Sequence, residues 1–431
     1  MKIEKIIVGG FSNIEKVELS LEKFNALVAL NNYGKSNVIN SIMFGIDFIN
    51  DLPEDKEKMM AIRSIIPINK HIDKKPYRFE VIFSTKFEKE NYKVHYGFSF
   101  DWIKNDNKGK KIKEEFLKLK STKPESRYKT FIKRNEKENL YLSAPTGRCD
   151  KKIKVKKNEL ILNKLSNFDD LFYFKLIETL NNLSIKYVDT LENPDRLFRK
   201  INTKIVRTGY SLDMPDNDDV GFFIYSLKKM KPDLYEIFLD SVKSLLRDVE
   251  DFEPIEIDFK KEIKFENENK ELPLDFPDKL YDIRVKEKNN NQQSDISRLS
   301  SGSQKVFYLL ALTIAAELNK IPLVSFEELE NSIHPGLLQR LLIILDGLTE
   351  KTKIITTSHS PYLIQYLDTK QVKIGIPNDT GLAEFKEIKS VKFKKAVKMA
   401  EDEGISVGDL IFDRVIECSN GDYELLKELC Y

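Results

Sequence analysis

The chain has 431 residues, of which 41% are hydrophobic and 32% are charged, and its formal net charge is only +2. This composition excludes a disordered chain, and the small net charge does not predict a general affinity for polyanions. No signal peptide is expected before the first strand, and the longest apolar run, Val306 to Ala316, is too short to span a bilayer. Cys149, Cys418 and Cys430 show neither metal-ligand nor disulfide spacing, so we expect a cytoplasmic protein without a membrane partner.

The first predicted elements lead to a candidate phosphate loop. Alternating apolar residues predict strands from Ile3 to Val8 and from Val17 to Leu21, and Phe24 to Leu30 is typical of a buried strand. A helix is predicted from Lys35 to Ile49, with its apolar residues on one side. Strand, loop and helix in this order are the context that a phosphate loop requires.

The middle of the chain has a different pattern. Arg78 to Ser84 and Tyr92 to Trp102 predict antiparallel strands, whereas residues 165–191 and 221–249 have helical periodicity. No heptad pattern is sustained, so we expect a compact helical lobe rather than a coiled-coil arm.

A basic stretch precedes the predicted helices. Between Trp102 and Leu160 the chain has 19 Lys or Arg residues against 8 Asp or Glu residues. This stretch is either a surface for nucleic acid or a partner, or a solvated region of a chain that is rich in lysine throughout.

The last third alternates helices with buried strands, which predicts a mainly parallel sheet wrapped by helices. After alternation in residues 255–265, the predicted elements are a helix over 305–318, a strand over 322–326, a helix over 337–348 and a strand over 353–357. Residues 391–431 predict short amphipathic helices.

The phosphate loop comprises residues 29–36. Its backbone N–H groups from Asn31 to Ser36 can converge on a phosphate at the positive end of the following helix. Lys35 is expected to contact the β- and γ-phosphates, and the Ser36 hydroxyl to bind Mg²⁺. Ala29 stands where the eight-residue pattern has glycine.

Three further segments carry polar residues suited to the same chemistry. Glu327 and Glu328 end a strand, where the first would hold Mg²⁺ through water and the second would orient or deprotonate attacking water. His359 follows the next strand, as expected of a γ-phosphate sensor, while His334 is expected to shape a turn. The signature segment, residues 299–304, opens a helix with Ser300 and Gly302 exposed, and it would grip the γ-phosphate bound to a second subunit.

With these motifs the chain resembles ABC-type ATPases of the RecF, SMC and OLD group. The resemblance rests on residues 6–12, 31–37 and 327–335. It implies an α/β ABC-type ATPase head, with a mostly parallel sheet, an antiparallel β subdomain and a helical insertion lobe, that dimerises head to tail around ATP and Mg²⁺. The nucleotide-binding residues that it implies are Asn31, Asn32, Gly34, Lys35, Ser36, Asn37, Ser300 and Gly302.

Several positions depart from the family pattern. No glutamine occurs before Gln292, although relatives carry one after the phosphate-loop helix, and Leu329 replaces the usual proline. Glu327 replaces aspartate, and Ser12-Asn13 stands where relatives often have a basic residue. These departures bear on the rate of hydrolysis more than on ATP binding.

We expect residues 1–103 and 253–390 to form the head, 104–252 the insertion and 391–431 closing helices. The stretch after His359 is shorter than the metal-binding domain that OLD nucleases carry there, so we expect no nuclease domain in it. The chain resembles stand-alone ATPase subunits of anti-phage systems of the Septu or PARIS type. The first interpretation is a dimeric ATP-dependent switch that regulates a separate nuclease or toxin. A RecF-like DNA-repair ATPase and an ATP-binding scaffold with little hydrolysis are the alternatives.

Overall fold

The computed structural model describes residues 1–88, 90–104, 111–123, 125–189, 210–215, 220–258, 279–376 and 380–419. Within these residues the chain divides into two compact units. The first unit is formed by residues 1–187 and 322–325 together with the chain from 351 onward, and the second by residues 188–321 and 326–350.

Seventeen β-strands occur in the described residues. They are β1 (Lys2–Phe11), β2 (Ile14–Ser20), β3 (Phe24–Val28), β4 (Tyr77–Phe87), β5 (Glu90–Phe100), β6 (Ile112–Ser121), β7 (Lys129–Arg134), β8 (Asn139–Tyr141), β9 (Lys151–Lys152), β10 (Ile185–Val188), β11 (Val249–Asp258), β12 (Lys279–Glu287), β13 (Ser294–Asp295), β14 (Leu323–Glu327), β15 (Lys353–Ser358), β16 (Val372–Gly375) and β17 (Phe385–Glu387).

The α-helices of the same residues are α1 (Lys35–Asn50), α2 (Pro53–Met59), α3 (Ile161–Leu165), α4 (Phe174–Asn181), α5 (Val220–Met230), α6 (Pro232–Leu245), α7 (Ser301–Leu318), α8 (Pro335–Leu348), α9 (Pro361–Tyr366), α10 (Ser390–Glu403) and α11 (Val407–Ser419). None of these described helices has both the length and the apolar character that crossing a membrane requires.

The larger sheet of the first unit is antiparallel and has the strand order β2-β1-β4-β5-β6-β7-β8-β9. Its buried face carries Phe98 and Phe100, which stack on Phe48 of α1 with ring centroids 5.0 and 4.8 Å apart. Offset aromatic stacking of this kind adds to the stabilisation from apolar burial. The packing fixes α1 on the sheet, and with it the phosphate loop that precedes the helix.

The second sheet has the order β10-β14-β15-β3-β16-β17. Its central strand, β3, pairs in parallel with β15 and with β16, whereas β17 runs antiparallel to β16. The register places Val28 opposite Ser358, so β3 and β15 end side by side at one edge of the sheet. The mostly parallel sheet predicted from sequence is confirmed, and the phosphate loop and His359 start from neighbouring strand ends.

Two stretches differ from the prediction. Residues 112–152, expected within the insertion, form strands β6 to β9 of the antiparallel sheet. Ile112, Leu117 and Leu119 are buried, but the lysines between them conceal the two-residue period of the strand. Of the stretch 165–191, residues 190 and 191 lie outside the described residues. In the described part, helix α4 is followed by strand β10, where Ile185 and Val188 favour extended backbone.

The two compact units also do not follow the four segments expected from sequence. The expected boundary at residue 103 falls inside one sheet, because β5 and β6 are hydrogen-bonded neighbours. The expected boundary at residue 252 falls inside β11, whereas the one at 390 coincides with the start of α10. Sequence patterns mark elements, but they do not show which distant elements share hydrogen bonds.

Aromatic contacts bring the helices and strands of the second unit together. Phe252 of β11 contacts Phe307 of α7 and Phe238 of α6, with ring centroids 4.8 and 5.5 Å apart. Helix α7 is buried along nearly its whole length, as expected of a helix that is apolar on all sides. Pro232 occupies the first position of α6, where its missing N–H costs no helical hydrogen bond.

A pair of carboxyl groups lies close to the signature segment in the second unit. Asp282 of β12 shares a hydrogen bond with Asp295, which in turn accepts a hydrogen bond from the Ser297 N–H at 2.7 Å. Burial and the neighbouring carboxylate of Asp295 raise the pKa of Asp282 to about 6. Because this folded-state pKa lies above the unfolded value, ionising Asp282 costs folding free energy as the pH rises through about 6.

We therefore expect Asp282→Asn to stabilise the protein at pH 7.5 by about 1–2 kcal/mol and to have little effect near pH 4. The amide keeps the shape and hydrogen bonds of the carboxyl group but does not ionise. Thermal unfolding at the two pH values measures the difference, with the exposed Asp248→Asn as the matched control. An equal gain at both pH values would show that the carboxyl pair is not its source.

Candidate functional site

The phosphate loop joins β3 to α1, and its geometry requires glycine at one position. Gly34 has a φ of +93°, and a Cβ there would lie 2.8 Å from the Ala383 Cβ and 2.9 Å from the Asn13 Oδ1. Asn32 also has a left-handed φ, which asparagine tolerates better than most residues. No side chain caps α1, so the N–H groups of its first turn face the loop with the positive end of the helix.

Lys35 lies at the centre of this loop. Its side chain is buried, and its Nζ donates to the carbonyl oxygens of Ala29 and Leu30 at 2.9 and 3.0 Å. The same Nζ lies 3.2 Å from the Nδ1 of His359. An ammonium group can only donate, so Nδ1 accepts and the imidazole carries its proton on Nε2. The structure thus brings together two predicted site residues that are 324 positions apart in the sequence.

Asn37 contacts the turn between β1 and β2. Its amide nitrogen donates to the Ser12 Oγ at 3.1 Å and to the Asn13 Oδ1 at 2.8 Å. Asn37, predicted to bind nucleotide, therefore holds the Ser12–Asn13 turn, and Asn13 in turn contacts the Gly34 position. The remaining predicted loop residues, Asn31, Asn32 and Ser36, are exposed.

These features suit a triphosphate with Mg²⁺. The position of Gly34 leaves no room for a side chain, the helix end is uncapped, and an ammonium group lies at the loop. Phosphate oxygens accept hydrogen bonds from such N–H groups and ammonium groups, and a serine hydroxyl at the second helical position can bind the metal.

The signature segment begins α7 in the second unit. Ser300 is exposed and caps the helix, because its Oγ accepts a hydrogen bond from the Ser303 N–H at 3.2 Å. Gly302, predicted to be exposed, is instead buried: a Cβ there would lie 2.2 Å from the carbonyl oxygen of Ser332. Gly302 is required for close packing within the second unit, and of the two predicted residues only Ser300 is exposed.

The acidic turn, residues 328–333, follows the half-exposed Glu327 at the end of β14. Glu328 has a left-handed φ of +46°, and its side chain accepts a hydrogen bond from the Asn331 amide. Its backbone oxygen also accepts from the Asn331 N–H at 3.1 Å. His334 caps α8 by accepting from the Gly336 N–H at 3.2 Å, which fits the predicted role in shaping the turn.

The sequence did not reveal the residues that support the candidate site by hydrogen bonds to its loops. Asn13 and Asn331 hold the phosphate loop and the acidic turn, but asparagines in loops are too common to stand out. Lys305 is fully buried and donates to backbone oxygens of the acidic turn. The signal for Lys305 was present, because a charge at the start of a long apolar helix needs a buried partner.

Solved structures similar to this chain are head domains of SMC proteins. One is an SMC head bound to the C-terminal winged-helix domain of ScpA, with 14% identity and a TM-score of 0.48 over 92% of this chain and 100% of that one. The SMC head from Thermotoga maritima has 13% identity and a TM-score of 0.42 over 90% and 100% of the two chains. An SMC head bound to the C-terminal domain of ScpA derived from Pyrococcus furiosus has 14% identity and a TM-score of 0.44 over 93% and 99%.

No curated protein matches the chain. A family model does match, over residues 24–365, which extend from β3 to α9 and include the phosphate loop, the signature segment, the acidic turn and His359. The family is described as "AAA domain, putative AbiEii toxin, Type IV TA system". Because this model matches well over half of the chain, the chain belongs to this family of AAA-domain proteins.

Proposed function

We propose that the protein binds ATP with Mg²⁺, dimerises around it and hydrolyses it slowly. The observation that carries the proposal is the contact of Lys35 with His359 at a loop whose Gly34 admits no side chain. A lysine, a histidine and a helix N-terminus at one loop favour a γ-phosphate more than any uncharged ligand.

Each site residue then has a role. Lys35 neutralises the β- and γ-phosphates, Ser36 and Glu327 hold the metal, and His359 donates from Nε2 to the γ-phosphate. Glu328 orients or deprotonates the attacking water. Ser300, at the exposed start of α7, binds the γ-phosphate held by the second subunit, so ATP favours the dimer.

The direct test is phosphate release from the purified protein with ATP, with and without Mg²⁺. We expect release that needs Mg²⁺ and is slow, because the chain has no glutamine before Gln292. Tight ATP retention without any release would favour the ATP-binding scaffold instead. Absence of both binding and release would contradict the proposal.

The dimer would act as a sensor that regulates a separate effector, a nuclease or toxin of an anti-phage system. The family description, which names a putative toxin of a toxin–antitoxin system, supports a role in such conflict systems. The test is co-purification with the product of a neighbouring gene in the presence of ATP or ADP. An effector should bind in one nucleotide state and leave in the other.

A second candidate function, RecF-like binding of nucleic acid, is favoured by the edge of the antiparallel sheet. The basic edge, defined as Arg148, Lys151, Lys152, Lys154 and Lys157, is exposed at and around the edge strand β9. Within the described part of the chain, no carboxylate forms an ion pair with these five side chains. Cationic groups without ion pairs attract a phosphate backbone.

Aromatic rings lie beside the same edge. The Lys151 ammonium is 5.9 Å from the Tyr141 ring centroid, and Phe168, which is 36% exposed, lies 6.3 Å from Tyr141 between ring centroids. Rings and cations together suit single strands, whose bases stack on aromatic side chains. Lysines on an edge strand can also serve to prevent pairing with strands of other molecules. A binding measurement with nucleic acid is therefore needed to distinguish the two roles.

We expect the double change Lys151→Glu and Lys152→Glu to weaken binding of a single-stranded oligonucleotide about 10-fold or more and to lower the salt slope by roughly 2. Fluorescence anisotropy across a salt series measures both quantities. The matched control is Lys394→Glu with Lys395→Glu on the exposed side of α10. Equal loss in the two variants, or no binding by the wild type, would remove this candidate function.

A further inference from the structure

Lys305 is a fully buried lysine in the otherwise apolar helix α7. Its Nζ donates to the backbone oxygen of Glu328 at 3.0 Å and to that of Asn331 at 2.9 Å. A buried ammonium group is costly to keep away from water, so its two carbonyl partners are a specific arrangement rather than incidental contacts.

The turn that Lys305 holds is strained. Glu328 and Ser332 both have left-handed φ values, +46° and +64°, although neither is glycine or asparagine. Such conformations persist only where the surroundings impose them, and they concentrate at functional sites. Here the hydrogen bond from Lys305 restrains the strained residue, because it fixes the carbonyl group of Glu328 itself.

Helix α7 contacts the same turn at a second point. Gly302 lies against the carbonyl oxygen of Ser332 so closely that a Cβ would come within 2.2 Å of that oxygen. Positions 302 and 305 are neighbours on one face of the helix. The start of α7 therefore contacts the acidic turn at both ends of that turn. Lys305 binds the carbonyl oxygen of Glu328, and Gly302 packs against that of Ser332.

We propose that Lys305 is a positioning residue that aims the Glu328 carboxylate according to the position of the signature segment. This inference rests on the proposed function. When Ser300 binds the nucleotide of the second subunit, the start of α7 is fixed in one position. Lys305 then fixes the acidic turn, and with it Glu328, through its hydrogen bonds to that turn. Hydrolysis in one subunit thus depends on occupancy of the other subunit's site.

The proposal predicts a selective defect in Lys305→Met, whose side chain has a similar length and suits an apolar helix. We expect kcat to fall about 100-fold while the Kd for ATP changes by less than about twofold. The Hill coefficient for ATP should fall towards about 1, since the two sites no longer communicate. Lys305→Arg, which keeps the donors, should recover much of kcat.

Two controls separate positioning from folding. Lys320→Met changes an exposed lysine just beyond the same helix and should leave every parameter unchanged. If Lys305→Met does not fold, as judged by circular dichroism, Gly302→Ala disturbs the second contact between α7 and the acidic turn by pushing Ser332 away, and it should give the same kinetic defect. In a Glu328→Gln background, Lys305→Met should not slow the residual hydrolysis further, because both changes remove the same function, that of the positioned Glu328 carboxylate.

The outcomes distinguish this inference from the proposed function. If Glu328→Gln leaves hydrolysis intact, the role of Glu328 is wrong and the inference fails with it. If Glu328→Gln abolishes hydrolysis while folded Lys305→Met keeps wild-type kcat and cooperativity, only the inference is overturned. Equal changes in kcat and Kd would also overturn it, since they indicate general damage.

Discussion

Lys35→Met is expected to weaken ATP binding by about 100-fold or more, which corresponds to roughly 3 kcal/mol. Lys35 is the buried cation at the phosphate loop, and methionine keeps its length while removing the charge and the donors. The negative charge of the phosphates would then lose its closest compensation. Titration with a fluorescent ATP analogue measures the loss.

The matched control is Lys74→Met, which changes an exposed lysine of the same unit and should bind ATP as the wild type does. Lys35 also donates to the carbonyl groups of Ala29 and Leu30, so circular dichroism must show that the variant is folded. Wild-type affinity in a folded Lys35→Met protein would mean that residues 29–36 do not bind the nucleotide.

Glu328→Gln is expected to lower hydrolysis by about 100- to 10,000-fold while ATP binding is kept. The amide cannot accept the proton of water, but it has nearly the shape of the carboxyl group. It can still accept the hydrogen bond from the Asn331 amide, so the acidic turn should keep its conformation. Phosphate release under saturating ATP measures the effect.

Glu350→Gln is the matched control, since it changes an exposed glutamate of the same unit and should leave the rate unchanged. A rate for Glu328→Gln close to that of the wild type would assign the water-activating role to another residue.

The sequence was most informative where pattern and chemistry coincide. The strand–loop–helix order around Lys35 predicts the phosphate loop because glycine, lysine and serine are each needed there for a separate physical reason. The parallel pairing of β3 with β15 explains why His359 reaches Lys35. Helix–strand alternation in the last third predicted a mainly parallel sheet, but not which strands pair.

The sequence was less informative where long-range hydrogen bonds decide the structure. Strands β6 to β9 join the antiparallel sheet through pairs that no local pattern encodes, and their lysines conceal the alternation. Gly302 was expected to be exposed, because the signature segment was predicted to bind a phosphate at the start of a helix. Its burial depends on Ser332, which is thirty residues away and has a left-handed φ.

The central claim, that ATP joins two copies of this chain, is tested most directly by the mass of Glu328→Gln in solution. Light scattering should give the monomer mass without nucleotide and twice that mass with ATP and Mg²⁺. The added change Lys35→Met should return the protein to the monomer mass. A mass that stays the same with and without ATP, in a protein that binds ATP, would contradict the account.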